Sequence, residues 1–348
     1  MLLNEWLGIE LPIIQAPMAG VQHHALAAAV CAAGGLGSLP AGMLDADGLR
    51  DEIVALRAAT GRPFNLNFMC HHAPPRDATS EQRWHETLAP YYRELGLDPA
   101  TAVPGKPRRG FDRERAELVV ELKPPVVSFC YGLPDAALFD VVKSSGARIL
   151  ATATTVAEAC WLEAHGADLI VAQGVEAGGH RGMFLTDDLT TQLSTMALVP
   201  QVVRAVRLPV VAAGGIADHT GVRAALALGA VGVQVGTSYL LCDEARTRAV
   251  HRAALKSEAA SHTALTNVFS GGWARGIVNR SMRELGPASS VAPPFPWAGP
   301  AFTPLRAAAE ARGSDDFSWM WAGQNVTGCA PVSAAVVTQR LAGTATRT

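Results

Sequence analysis

Residues 173–182 read Gln-Gly-Val-Glu-Ala-Gly-Gly-His-Arg-Gly, with four glycines in the nine positions from Gly174 to Gly182 around one histidine, His180. Glycines let the backbone approach a flat or charged partner closely, and they present the imidazole with little bulk around it. An imidazole titrates near neutral pH, so His180 is the candidate general base. Two further glycine clusters stand at Ala213-Gly214-Gly215-Ile216-Ala217-Asp218 and Gly236-Thr237-Ser238-Tyr239. Backbone N–H groups in such loops, aided by a following helix N-terminus, make an anion site, and phosphate is the anion expected. Asn67 and Gln173 offer amides for the polar edge of a heterocycle, and Ala16-Pro17-Met18-Ala19-Gly20 offers a rigid apolar platform for a ring. Together these groups point to flavin mononucleotide (FMN), which supplies redox chemistry that side chains lack.

Eight short apolar runs carry these residues at their C-terminal ends. They are 12–18, 36–39, 63–69, 126–130, 148–153, 169–173, 209–213 and 232–236. Continuous apolar runs are strands buried on both faces, which is the parallel-sheet condition, and helical stretches such as 24–33, 155–165 and 218–228 serve as crossovers. The pattern predicts an α/β fold, a (β/α)8 TIM barrel with a smaller helical domain inserted near the C-terminus. The expected boundaries are a barrel over 1–242, a small domain over the barrel mouth at 243–317, and a segment at 318–348 that packs back on the barrel. Within the barrel, residues 71–111 read as an extended lid-like loop. Function in such a barrel belongs to the C-terminal ends of the strands, where the glycine loops lie.

The composition agrees. At 348 residues the chain exceeds the roughly 250 that one such barrel needs. Its 49% hydrophobic and 17% charged residues argue for a large core and against disorder. The net charge is −2 and the longest basic run is Lys106-Pro107-Arg108-Arg109, so no nucleic-acid partner is expected. The N-terminus lacks a basic n-region and no run reaches a membrane span, which reads as an unprocessed protein with no membrane association. Six scattered cysteines without a Cys-x-x-Cys suit a reducing cytoplasm. No metal is expected, since His71-His72 has no partner at ligand spacing. Gly34-Gly35-Leu36-Gly37 precedes a strand rather than opening a helix, and neither Gly-x-Ser-x-Gly nor His-Glu-x-x-His occurs.

The residues resemble the nitronate monooxygenases, most closely their bacterial class I. The matching stretches are 15–20, 65–68, 173–182, 213–216, 234–237 and Trp321-Ala322-Gly323-Gln324. The resemblance implies an FMN-containing barrel that oxidises alkyl nitronates of the propionate 3-nitronate kind, using O2, to a carbonyl compound and nitrite by way of a flavin semiquinone. It implies that Ala16, Pro17, Met18, Asn67, Gln173, Gly178, Gly179, Gly214, Gly215, Gln234, Val235, Gly236 and Thr237 hold FMN. His180 would accept the α-proton of a neutral nitroalkane and, when protonated, bind the nitro oxygens. The chain departs from the family at Cys130-Tyr131, where a histidine is usual after Ser-Phe, so Cys130 and Tyr131 become the expected substrate contacts. A monomer or homodimer fits the size. Two alternatives share the scaffold: an FMN-dependent NAD(P)H enoyl-thioester reductase, and a non-catalytic flavin-binding protein.

Overall fold

The computed structural model describes residues 3–101 and 109–344. Lys106, Pro107 and Arg108 of the basic run lie outside the described residues. The strands in chain order are β1 Ile13–Gln15, β2 Gly37–Pro40, β3 Phe64–Met69, β4 Val126–Cys130, β5 Arg148–Ala153, β6 Leu169–Gln173, β7 Gly179–His180, β8 Val210–Ala213, β9 Gly232–Val235, β10 Thr263–Thr266 and β11 Ala274–Ile277. Eight of them form one sheet in the order β1-β9-β8-β6-β5-β4-β3-β2, and every pairing is parallel. A parallel bridge between Ile14 and Leu36 joins the two ends of the row, so the sheet closes into a TIM barrel. Each of the eight expected runs supplies one barrel strand.

The helices are α1 Leu3–Leu7, α2 His24–Ala32, α3 Ala46–Ala59, α4 Ala78–Glu94, α5 Arg113–Leu122, α6 Ala136–Ser144, α7 Val156–Ala164, α8 Thr195–Ala205, α9 His219–Ala227, α10 Ala249–Leu255, α11 Arg280–Glu284, α12 Gly299–Glu310 and α13 Ala334–Ala342. Side-chain caps fix where several begin. Asp45, Asp112, Thr155, Ser194 and Asp218 each accept a backbone N–H from the first turn of α3, α5, α7, α8 and α9. Strand residues alternate between two cores. Ile13, Leu66, Phe68, Val127, Ile149 and Ile170 pack under the surrounding helices, while Ile14, Leu150, Leu169, Val171 and Val211 fill the barrel's interior against Leu3 and Leu7 of α1.

The segment 71–111 departs from the expected loop. It contains the seventeen-residue helix α4, whose Trp84, Leu88 and Tyr92 are buried at helical spacing in a separate core with Phe269, Phe302, Leu305 and Phe317. Trp84 Nε1 donates to Ala298 O at 3.2 Å and Tyr92 OH donates to Ala301 O at 2.7 Å, tying α4 to the start of α12. The smaller unit is also not wholly helical, because β10, β11 and β7 form a three-stranded antiparallel sheet. At the other end, α13 packs against α2 and α9 on the barrel's flank.

Candidate functional site

A cavity of about 680 Å³ opens at the C-terminal ends of the barrel strands, within the range usual for small-molecule and cofactor sites. His180, Cys130 and every residue expected to hold the cofactor line it. Tyr131 is not on that lining. Its ring stacks on Phe295 at 5.7 Å, so Phe295 takes the place at the wall that the sequence suggested for Tyr131.

Buried polar residues inside the barrel set the floor. Asn65 Nδ2 donates to Ser38 Oγ and Ser128 Oγ, both at 2.9 Å, and Asn67 Nδ2 donates to Ser128 Oγ at 3.0 Å. Gln22 Oε1 accepts from Gln15 Nε2 at 2.6 Å and from the Met18 N–H at 2.9 Å, which fixes the 16–18 platform over the strand ends. Gln173 uses its amide on its own loop. Its Nε2 donates to His180 O at 3.0 Å and its Oε1 accepts from Gly182 N at 2.9 Å, clamping the chain on both sides of Arg181.

Two buried guanidiniums brace the same loop from behind. Arg181 donates to Gly174 O at 2.6 Å, Gln173 O at 2.7 Å and Gln192 Oε1 at 2.8 Å, and Arg275 Nε donates to Val175 O at 2.8 Å. Burial, then the charge of Arg275, pushes the Arg181 pKa down to about 10, and burial lowers Arg275 as well. Glu158 is fully buried and holds the far side of the loop. Its carboxylate accepts from Thr154 N and Thr154 Oγ1, both at 2.7 Å, and from Phe184 N at 2.7 Å.

His180 itself sits on β7, paired with Ala274 of β11, so the smaller sheet places the imidazole. Its Nε2 lies 2.9 Å from Ser270 Oγ. Phe295 and Trp321 meet the ring edge-on at 5.5 Å and 5.4 Å. Cys130 lines the cavity too, and burial raises its thiol pKa to about 12, so it stays protonated.

The glycine loops form a cradle. Gly214 and Gly215 have φ of +116° and +73°, in the left-handed region that favours glycine, just before the N-terminus of α9. The N–H groups of Gly215, Gly236 and Thr237 have no protein acceptor among the described residues. The tail segment laces these loops together: Gly323 N donates to Thr237 Oγ1 at 3.0 Å, Gln324 N to Glu176 O at 3.0 Å, and Asn325 Nδ2 to Gly215 O at 3.1 Å. The cradle, with its unused backbone donors and a helix N-terminus, fits a phosphate, and the apolar platform beside it fits a ring system. The braces of the site were missed by sequence reasoning: Ser270, Phe295 and Arg275 lie far along the chain from the residues they hold, and Glu158 carries no motif that links Thr154 to Phe184.

Among the described residues, one group of metal-capable side chains stands outside the cavity, at His23, His24 and Glu52. The positive N-terminal end of α2 and the nearby charge of Arg246 both oppose a cation there. No helix among the described residues is long and apolar enough to cross a membrane.

A family model for nitronate monooxygenase matches residues 1–341. A nitronate monooxygenase of Paraburkholderia phytofirmans is 47% identical over 322 residues, covering 91% of this chain and 87% of the relative. Among solved structures, a nitroalkane oxidase from Streptomyces ansochromogenes superposes with a TM-score of 0.87 at 38% identity, covering 96% of this chain and 95% of the other. FabK from Thermotoga maritima is more distant, with a TM-score of 0.71 at 26% identity, covering 97% of this chain and 93% of the other.

Proposed function

The chain belongs to the nitronate monooxygenase family, and on that premise we propose that it oxidises alkyl nitronates with dioxygen to a carbonyl compound and nitrite, with FMN as its flavin. When bound, the flavin would supply the redox chemistry between the nitronate and dioxygen, which no side chain provides. Gly214, Gly215, Gly236 and Thr237 would hold the phosphate. Asn67, Gln173 and Gln234 would meet the ring's polar edge, the last N–H of Gln173 being the one not used on its loop. Ala16, Pro17 and Met18 would lie along the ring, with Val235, Gly178 and Gly179 completing the wall.

The observation that carries the reading is His180, held over a glycine-cradled cavity by the β7–β11 pairing and by Ser270. Ser270 fixes the orientation of the imidazole. The ring accepts the α-proton of a neutral nitroalkane, and as imidazolium it binds the developing negative charge on the nitro oxygens. Phe295 and Trp321 exclude water from that proton. Cys130, as a neutral thiol, is a substrate contact of little polarity. The partners are a small nitronate or nitroalkane and dioxygen, the protein acting as a monomer or homodimer. A reducing cytoplasm suits its six free thiols.

Replacing His180 by alanine tests the reading: flavin is retained while turnover of neutral nitroalkanes falls by about 10²–10⁴-fold. Unchanged turnover removes His180 from the chemistry, whereas a wild-type protein that holds flavin but turns over no nitronate or nitroalkane favours a flavin-binding role without catalysis. The likeness to FabK supports a second reading, NAD(P)H-dependent reduction of an enoyl thioester, which anaerobic bleaching of the flavin by NAD(P)H alone would favour.

A further inference from the structure

The cavity continues well beyond His180. The rings of Trp321, Phe269 and Trp319 on its lining follow one another from the imidazole, with centroid separations of 5.4 Å from His180 to Trp321, 5.7 Å to Phe269 and 6.4 Å to Trp319. At the end of this apolar ladder the cavity wall turns cationic. The Arg306 guanidinium lies 3.8 Å from the Trp319 centroid and that of Arg248 lies 5.6 Å from it. Glu310 is the carboxylate facing them. It pairs with Arg248 at 3.5 Å and accepts from Ser318 Oγ at 2.7 Å.

One carboxylate thus answers two guanidiniums. Arg306 Nε is buried without a protein partner among the described residues, and so is Nε2 of His251, another residue of this lining. Burial, then the charge of Arg248, pushes the His251 pKa down to about 4, so this imidazole is neutral and adds a polar edge but no charge. Burial likewise lowers Arg306, to about 10. Two guanidiniums against a single carboxylate leave this wall of the cavity with an excess of positive charge, and a cleft lined by one sign of charge attracts a ligand of the other.

We propose that this end of the cavity is an anion-recognition subsite, and that the substrate class is a nitronate whose apolar chain runs along the Trp321–Phe269–Trp319 ladder to a terminal carboxylate or phosphate held by Arg306 and Arg248. The substrate class rests on the nitronate reading above; the anion subsite does not. Three rings separate His180 from Arg306, so the tail must be longer than that of the smallest nitronates.

The test uses the flavin-loaded full-length protein and two separate readouts. In calorimetry, unreactive alkyl carboxylates and alkyl phosphates of increasing chain length bind about tenfold or more tightly than alcohols of equal length, as expected for a charge-assisted contact. The tighter of the two series identifies the terminal group. Arg306→Met removes the advantage, Arg306→Lys restores part of it, and Arg248→Met serves as a second variant should Arg306→Met unfold. In kinetics, the kcat/KM ratio of chain-terminal carboxylated nitronates over neutral nitronates of equal length falls about tenfold in Arg306→Met. Equal binding of acids and alcohols by the wild-type protein overturns the subsite even if simple nitronates are oxidised. Tight, Arg306-dependent binding of the acids without turnover of any nitronate supports the subsite and overturns the nitronate as its occupant.

Discussion

Replacing Gly178 by alanine tests the cradle without touching a reacting group. A Cβ at this position would lie 2.5 Å from Ala322 C and Gly323 N and 2.9 Å from Ala322 Cα. All three are backbone atoms, so no side chain can swing aside, and the 174–182 loop must part from the tail segment that laces it to Thr237. Gly178 does not adopt the left-handed conformation, so steric overlap is the whole perturbation. Overpacking of this kind costs about 1–3 kcal/mol, which corresponds to an affinity loss of about five- to 150-fold. Both displaced segments line the cavity, so the cost falls on flavin binding more than on the barrel. Equilibrium dialysis followed by flavin fluorescence measures the affinity, and thermal unfolding of the flavin-free protein reports the barrel. Gly61→Ala is the control, because nothing lies within 4 Å of its Cβ and its φ is not in the left-handed region. A Gly178→Ala protein that binds flavin as tightly as the wild type would refute the cradle.

Other perturbations have equally definite outcomes. Ser270→Ala removes the 2.9 Å partner of His180 and lowers kcat/KM for nitroalkanes about two- to tenfold, the worth of one ordinary hydrogen bond; a matching loss of flavin affinity would make Ser270 merely structural. Glu158→Ala strands the buried donors of Thr154 and Phe184 and costs about 3 kcal/mol or more, read as an unfolding temperature several degrees lower; an unchanged melting curve would contradict the network. Burial, then the charge of Arg248, pushes the His251 pKa down to about 4 from the ordinary 6.5, so between those pH values the unfolded chain binds the extra proton and stability is lost as the pH is lowered. The wild type should lose about 2 kcal/mol from this group between pH 7 and pH 5, and His251→Leu should show a correspondingly flatter pH dependence of denaturant midpoint; identical profiles would place a charged or exposed imidazole there.

The barrel was legible because its signals are local. Each barrel strand lies in a short, mostly apolar run, each glycine loop follows a run directly, and caps such as Asp218 sit one residue before their helices. The same locality made His180 and the cradle glycines readable, and all of them line one cavity. What escaped depends on contacts between distant segments. Trp84, Leu88 and Tyr92 have clear helical spacing, but their partners on α12 lie more than 200 residues away, as the 214-residue separation of the Trp84–Ala298 hydrogen bond illustrates. Without those partners the stretch reads as an irregular loop. Ser270 is one serine among many until β7 pairs with β11 and brings His180 to it. Tyr131 shows the limit of locality from the other side: it directly follows β4, where a site residue is expected, yet its ring stacks on Phe295, which lines the wall. Arg248, His251 and Arg306 come together only when α10 and α12 close over the barrel mouth, so no motif announces them.

The most direct test of the account is an anaerobic absorbance spectrum of the purified yellow protein, titrated in parallel with propionate 3-nitronate and with NADH or NADPH. The account predicts that the nitronate changes the flavin spectrum, that admitting oxygen restores it with release of nitrite, and that the nicotinamides leave it unaltered. Rapid full bleaching by a nicotinamide with no response to the nitronate would contradict it.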